Sequence, residues 1–333
     1  MAMPQAETQK LITVFGGSGF IGRHVVARLA QDGWRIRVAC RRPDLAFFLQ
    51  PLGVPGQIFP VQANLRDPRS LAAALKGASA AVNLVGILAE SGKQRFDAIQ
   101  GKGPGAVAEA VKAAGIDNFV HVSAIGADAR ATSRYARSKA AGEAAVRSAL
   151  PDAVILRPSV VFGPGDDFFN RFGAMGRFLP FETVVGGNTK FQPVYVGDVA
   201  EAVVCAVSGK ARKGATYELG GPEVRSFESL VRYVLAVSDR KRPIVNLSFG
   251  MGKFVAAIMQ TLDRLSLGLF PKLLRMTTDQ VELLKHDNVV SDAAKAEGRT
   301  LEGLGIAPTA FESVAPSYLY RFRPTGQYEE QRS

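Results

Sequence analysis

Between residue 11 and about residue 160, short β-rich runs alternate with longer segments in which apolar residues return every three or four positions. The runs at 11–15, 35–40, 57–62, 80–85, 119–122 and 154–156 predict strands, and the segments at 21–31, 70–75, 106–114 and 138–149 predict helices. Such regular βαβ alternation implies an α/β fold with a parallel sheet covered on both faces. The rhythm breaks near Gly163. A stretch rich in Phe and Gly, 168–181, then reads as an excursion on the substrate side. Residues 193–207 and 215–219 read as strand and helix returning to the sheet, and the remaining chain is mostly helical. The division expected is a sheet domain over 10–162, completed by about 193–220. Residues 163–192 and 221–325 form a smaller, mostly helical lobe, with flexible ends at 1–9 and 326–333.

Gly16-Gly17-Ser18-Gly19-Phe20-Ile21-Gly22 joins the first strand to the first helix. Glycines at 16, 19 and 22 permit a tight turn, close approach of a pyrophosphate and close helix–strand packing, while the first-turn N–H groups attract anions. Alone the triplet is a tight turn. In this strand–helix context it points to a dinucleotide on a Rossmann-type, doubly wound sheet, with Ser18, Phe20 and Ile21 contributing backbone.

The end of the second strand, where an acid for the adenine ribose is expected, carries Arg41 and Arg42 instead, with no carboxylate until Asp44. Two guanidinium groups suit a 2′-phosphate, which favours NADP(H) over NAD(H); the alternative is a solvated basic turn. Asn64, beside Leu65 after the third strand, offers an amide to adenine, and Val85 and Gly86 would line the cofactor with backbone. Ordinary loop chemistry is the other reading of both.

Ser123 ends the fifth strand, and Tyr135 and Lys139 lie four apart, on one face of a helix. A lysine ammonium beside a phenol lowers the phenol's pKa, so tyrosine can exchange a proton with a substrate oxygen that Ser123 polarises. The plain alternative is a solvated helix face.

Composition narrows the classes. With 47% hydrophobic and 21% charged residues the chain is globular, and 41 Lys plus Arg against 30 Asp plus Glu, net +11, favours an acidic partner. Cys40 and Cys205 sit in apolar runs and read as buried, reduced thiols. His24, His121 and His286 are scattered and read as satisfied structural groups, so no metal site is expected. The basic residues are dispersed, which argues against nucleic acid. The first residues lack the features of a secretory or transit segment, and no run approaches a membrane span; a cytoplasmic or already processed chain is expected.

The glycine loop, Ser123/Tyr135/Lys139, Arg157-Pro158-Ser159, the QPVYVGDV run at 192–199 and YELGGP at 217–222 together resemble the extended or atypical short-chain dehydrogenase/reductases. VNLVGILAE (82–90), SRYARSKAAGE (133–143), RPSVVFGPGDDFFNRF (157–172) and LEGLGIAP (301–308) resemble the branch that contains the NADPH-binding accessory subunit of respiratory complex I. The resemblance spans roughly 11–323. It implies NADPH held as a structural cofactor at the junction of the hydrophilic and membrane arms, with complex I subunits as partners. Other members of the branch are linked to ubiquinone biosynthesis, which makes quinone-biosynthesis proteins the alternative partners.

By position, the resemblance gives Gly16, Gly19 and Gly22 to the pyrophosphate, Arg41 and Arg42 to the 2′-phosphate, and Tyr135 and Lys139 to the nicotinamide ribose. Pro158 and Ser159 would approach the carboxamide. Asn64 departs from the usual Asp. The complete Ser-Tyr-Lys set keeps open an active NADPH-dependent reductase of an apolar carbonyl or quinone-related compound, with Phe168, Phe169, Phe172 and Phe178 around its pocket.

Residues 241–285 mix cations (Lys241, Arg242, Lys253, Arg264, Lys272, Arg275, Lys285) with apolar side chains from Phe254 to Leu274, Leu269 included, and those at 254/255, 258/259, 262 and 265 follow helical spacing. The stretch can lie on an anionic membrane surface, against a membrane-arm partner, or over its own lobe. Peripheral attachment on the cytoplasmic face of the inner membrane, or the matrix side in a eukaryote, follows from the first two. The tail 318–323 mixes aromatics with arginine, a composition that suits an interface or a frayed end.

Overall fold

The computed structural model describes residues 10–266 and 270–326, with the side chains of Arg264 and Lys272 also outside the description. Leu269 and the ends 1–9 and 327–333 therefore lie outside the described residues. The strands are β1 (Leu11–Phe15), β2 (Arg35–Cys40), β3 (Ile58–Gln62), β4 (Ala80–Asn83), β5 (Asn118–Val122) and β6 (Val154–Pro158). They are followed by β7 (Val161–Phe162), β8 (Glu182–Val185), β9 (Lys190–Phe191), β10 (Val194–Tyr195), β11 (Thr216–Leu219), β12 (Arg225–Ser226) and β13 (Ile244–Leu247). The helices used below are α1 (Phe20–Gln31), α2 (Pro68–Leu75), α3 (Gly103–Ala113), α4 (Arg134–Ala149), α5 (Phe168–Phe178), α6 (Val196–Val207), α7 (Phe227–Val237), α8 (Phe249–Leu265) and α9 (Thr278–Leu283).

Seven strands form one sheet in the order β11-β6-β5-β4-β1-β2-β3, every pair parallel. Because side chains alternate across a strand, Ile12 and Val14 enter the layer under α1 and α6, whereas Phe15 joins Leu71, Val107 and Val146 under α2, α3 and α4. Buried on both faces, these strands carry the continuous apolar runs seen in the sequence. The strand order reverses between β1 and β4, which opens a crevice at their C-terminal ends, the usual ligand position in such sheets.

A second apolar cluster joins Phe162, Phe169, Phe172, Phe191, Phe227 and Phe311 to the C-terminal Tyr318, Leu319 and Phe322. It corrects the pocket expected of the Phe-rich stretch. That stretch is helix α5, whose period carries Phe169 (0% exposed) and Phe172 into the cluster, packs Phe168 against Phe191 and Phe227, and leaves Phe178 70% exposed. Cys205 is buried and Cys40 only half-buried.

Helix α8 is split by face. Gly252 and Ala256 pack toward Val185, and Lys253 pairs with Glu282, while Met251, Phe254, Ile258, Leu262 and Leu265 point outward at three- and four-residue intervals. Two more cations of this stretch are paired as well: Lys285 shares Glu282 (3.1 Å) and Arg275 meets Asp263 (3.0 Å). No helix among the described residues is long and apolar enough to cross a membrane.

Candidate active site

The loop after β1 sits directly in the crevice. Gly16 has φ +79°, its N–H donates to Ala39 O (3.2 Å), and its carbonyl accepts from Gly19 N (3.0 Å). A Cβ on Gly22 would stand 2.3 Å from Gly16 O and 2.6 Å from Gly17 Cα, so only glycine admits α1 this close to the turn. Helix α1 begins with Gly19 as N-cap, with no side-chain cap and no acid in its first turn. The N–H groups of Phe20, Ile21 and Gly22 thus form an anion-attracting end beside half-buried Ser18.

Across the crevice, Val85 lies against Gly16, and a Cβ on Gly86 would be 3.4 Å from Lys139 Nζ. Asn83 Oδ1 accepts from Val85 N (3.1 Å) and its Nδ2 meets His121 Nδ1 (3.3 Å). At the end of β2, Arg41 is exposed and Arg42 pairs with Asp44 at 2.7 Å, both partners more than half exposed. Exposed pairs of this kind are screened by water and contribute little, so a phosphate can displace Asp44. Asn64 Oδ1 accepts from Arg66 N (3.1 Å) in an Asx turn, which leaves its amide group as a donor, and Leu65 packs on Gly103.

Ser123 arrives on β5 with its N–H held by Leu156 O (2.7 Å) and its Oγ buried without a partner among the described residues. Tyr135 stands half-buried, its ring edge-to-face with Phe96, and Lys139 Nζ lies 5.9 Å from the Tyr135 ring centroid. The expectation that the lysine lowers the phenol's pKa is reversed here. Burial pushes Tyr135 up to about 12 and Lys139 down to about 8, because desolvation penalises both charged forms, and for Lys139 it outweighs the pull of the Glu143 carboxylate.

Glu143, one turn beyond Lys139, is engaged by Arg157 through two hydrogen bonds (2.9 and 2.6 Å) and offers the ammonium only a distant charge. His121, neutral and pushed down to about 3 by burial and the Lys139 charge, leaves Nε2 without a partner among the described residues. His24 Nε2 is likewise buried without a partner among the described residues, so neither ring is the fully satisfied group expected. Among the described residues no cluster suited to a metal ion occurs.

Sequence reasoning missed two residues from the C-terminal lobe, which reach the site from far along the chain with no local signature. Asn288 Oδ1 accepts from Ser159 Oγ (2.7 Å) and Val160 N (3.1 Å), and its Nδ2 donates to Ile125 O (3.4 Å). Ser159 N is held by Leu219 O and the Pro158 carbonyl by Ile125 N, so the polar groups of Pro158 and Ser159 are already engaged. Asp279 receives three donors from the N-terminus of α4: Arg134 N (2.6 Å), Ser133 Oγ (2.9 Å) and Tyr135 N (3.1 Å).

The open helix end, the glycine cradle, the orphaned Ser123 Oγ and the Lys139 ammonium together fit an NAD(P) dinucleotide. Residues 12–220 match the model of the NAD dependent epimerase/dehydratase family. The chain belongs to this family.

Among family relatives, it is 33% identical over 314 residues to the mitochondrial NADH dehydrogenase (ubiquinone) 1 alpha subcomplex subunit 9 of Mus musculus, covering 93% of this chain and 80% of that protein. It is 35% identical over 198 residues to the ceramide reductase of Caulobacter vibrioides, covering 60% and 61%. In fold it resembles the Escherichia coli NADPH-dependent quinone oxidoreductase solved with NADPH, with a TM-score of 0.69, 21% identity and coverage of 93% and 99%. This likeness in fold extends past the residues that match the family model.

Proposed function

We propose that this chain is an NADP(H)-binding accessory or assembly subunit of respiratory complex I, the NADH:ubiquinone oxidoreductase. The observation that carries the reading is the likeness to the mouse NADH dehydrogenase subunit along 93% of the chain.

In this reading the sheet unit, 10–162 completed by 193–220, holds the nucleotide. Pyrophosphate lies over Gly16, Ser18, Gly19, Phe20, Ile21 and Gly22, and Arg41 and Arg42 take the 2′-phosphate. The Asn64 amide meets adenine beside Leu65, while Val85 and Gly86 flank the dinucleotide. The hydroxyls of the nicotinamide ribose face Tyr135 and Lys139, and Pro158 and Ser159 pack near the carboxamide. The cofactor, when bound, supplies a hydride; its main part here is structural.

The outward stripe of α8 seats the protein peripherally, against a membrane-side partner or an anionic bilayer. In a bacterium this is the cytoplasmic face of the inner membrane, and in a mitochondrion the matrix face. The test is migration of the native protein after mild detergent solubilisation. Co-migration with active NADH dehydrogenase is expected, and loss of co-migration on replacing Phe254, Ile258 and Leu262 by Ser would place the contact on α8. A small free species would overturn the accessory role.

A second reading is supported by the orphaned Ser123 Oγ, the intact Tyr135 and Lys139, and the Caulobacter ceramide reductase. It makes the chain an NADPH-dependent reductase of an apolar carbonyl, quinone-related in one version and linked to ubiquinone biosynthesis. Tyr135→Phe separates the two. Turnover in a reductase is lost with NADPH binding kept, whereas an accessory subunit supports respiration unchanged.

A further inference from the structure

Lys139 and Glu143 stand four residues apart on α4, the spacing at which opposite charges pair on a helix surface. Both are buried, and they do not pair. Glu143 Oε1 accepts from Arg157 Nε (2.9 Å) and Oε2 from Nη2 (2.6 Å), so the planar fork of Arg157 occupies both carboxylate oxygens. The remaining Arg157 Nη1 faces Glu218 at 3.7 Å, and Glu218 Oε2 accepts from Ser291 N (2.8 Å) at the start of the short helix Asp292–Ala296. Lys139 and Arg157 are thus balanced in charge by Glu143 and Glu218, while the ammonium itself meets no carboxylate among the described residues. Balance without contact lets a buried ammonium stay charged and keep its N–H groups unspent.

The other charged and titratable groups around Lys139 are committed elsewhere or neutral. On α4, the phenol of Tyr135 is uncharged, and the Arg147 fork donates to Pro151 O, Ala153 O and Thr216 Oγ1. Asp279 is spent on the N-terminus of α4, and Arg299 on Glu297 and Thr216 O. From β5 comes neutral His121. Because Asn83 Oδ1 takes the Val85 N–H, the Asn83 amide donates to His121 Nδ1, which puts the ring proton on Nε2. Gln100 Oε1 accepts from Ile87 N, next to Gly86, and Gln100 Nε2 has no partner among the described residues. The unsatisfied nitrogens here are donors. With both Glu143 oxygens taken, an acceptor for them is left to a ligand.

We propose that Arg157 is a positioning residue: by holding Glu143 it withholds that carboxylate from Lys139 and keeps the ammonium open to the hydroxyl or carbonyl oxygens of a bound ligand. The identity of that ligand rests on the reading in which Lys139 faces the nicotinamide ribose. The relation among Arg157, Glu143 and Lys139 belongs to the cofactor-free protein and is tested there.

The experiment follows the Cε chemical shift of Lys139 against pH in the full, lysine-labelled chain without nucleotide, with Lys139→Met locating the signal. In Arg157→Gln the freed Glu143 turns to Lys139. The titration is expected to move up by about one pH unit or more, and NADPH affinity to fall about tenfold. In Arg157→Gln/Glu143→Gln the titration returns to the wild-type position or below it, and affinity recovers. An arginine with a merely structural role lowers stability in both variants and leaves the Lys139 titration where it was. Arg157→Lys keeps the charge but loses the fork, so it serves if Arg157→Gln does not fold; it is expected to move the titration part of the way.

An unchanged Lys139 titration in the folded Arg157 variant overturns the inference. So does an upward shift that Glu143→Gln fails to reverse. A reversible shift with unchanged NADPH affinity establishes the withheld carboxylate and takes Lys139 away from the ribose, which separates the fate of this inference from that of the nucleotide reading.

Discussion

The carboxylate of Asp279 accepts the backbone N–H of Tyr135 at 3.1 Å, across 144 residues of chain. With Arg134 N and Ser133 Oγ on the same carboxylate, and Ala136 N on Ser133 Oγ, the exposed donors at the start of α4 are all satisfied. The helix that carries Tyr135 and Lys139 is thereby fixed from the C-terminal lobe. Asp279→Ala is expected to destabilise the protein by about 2 kcal/mol in urea unfolding, from the loss of charge-assisted bonds at a helix N-terminus. Asp279→Asn, which keeps an acceptor but not the charge, should fall between it and wild type.

Arg41 and Arg42 decide the nucleotide if the 2′-phosphate reading holds. Replacing both by Ala should weaken NADPH binding about a hundredfold and leave NADH binding nearly unchanged, since only the former carries the phosphate they face. Fluorescence titration with both nucleotides reads the ratio. Equal weakening would assign the pair to a solvated turn.

Lys139, held down to about 8, gives a pH signature. Between that value and the ordinary lysine range, the native protein holds fewer protons than the unfolded chain, so stability rises with pH there and the full penalty is present below 8. Lys139→Met should flatten this slope in urea midpoints and stabilise the cofactor-free protein at neutral pH. In the proposed site, where the ammonium donates to the ribose, the same variant should weaken NADPH binding, and wild-type affinity should fall as pH rises through about 8. A pH-independent affinity would remove Lys139 from the ribose.

Glu182 is fully buried between α5 and β13, and neither of its carboxylate oxygens has a hydrogen-bond partner among the described residues. Burial pushes it up to about 7, although Arg171 and Arg242 pull the other way. A raised carboxyl binds a proton more tightly in the native state, so stability falls as pH climbs from the usual glutamate range to 7 and stays reduced above it. Glu182→Gln is expected to remove that slope and to add about 2 kcal/mol at pH 8. Parallel pH–stability curves for the two proteins would show that the charge is compensated.

Local chemistry made much of this protein readable. Strands at 11–15 and 35–40 appear where the apolar runs place them, and the Gly16–Gly22 turn shapes the crevice because a Cβ at Gly22 has nowhere to go. Periodicity was less informative where helix and excursion share a composition. Phe168–Phe178 is a helix whose aromatic face builds a core, and the helical turn at Asp97–Lys102 ahead of α3 carries no strong local signal.

What the sequence determined by itself is what neighbouring residues decide: the alternating strands and helices, the parallel sheet, the glycine turn, and the i, i+4 placement of Tyr135 and Lys139. Only the tertiary structure decided what depends on burial and on distant partners. Desolvation moves Tyr135 and Lys139 apart in pKa, the chain returns Asp279 and Asn288 to the site from the far lobe, and one face of α8 is left outward. Spacing along a chain sets which side chains share a face, but a charge's cost and its counter-charge are set by what the fold brings within a few ångströms.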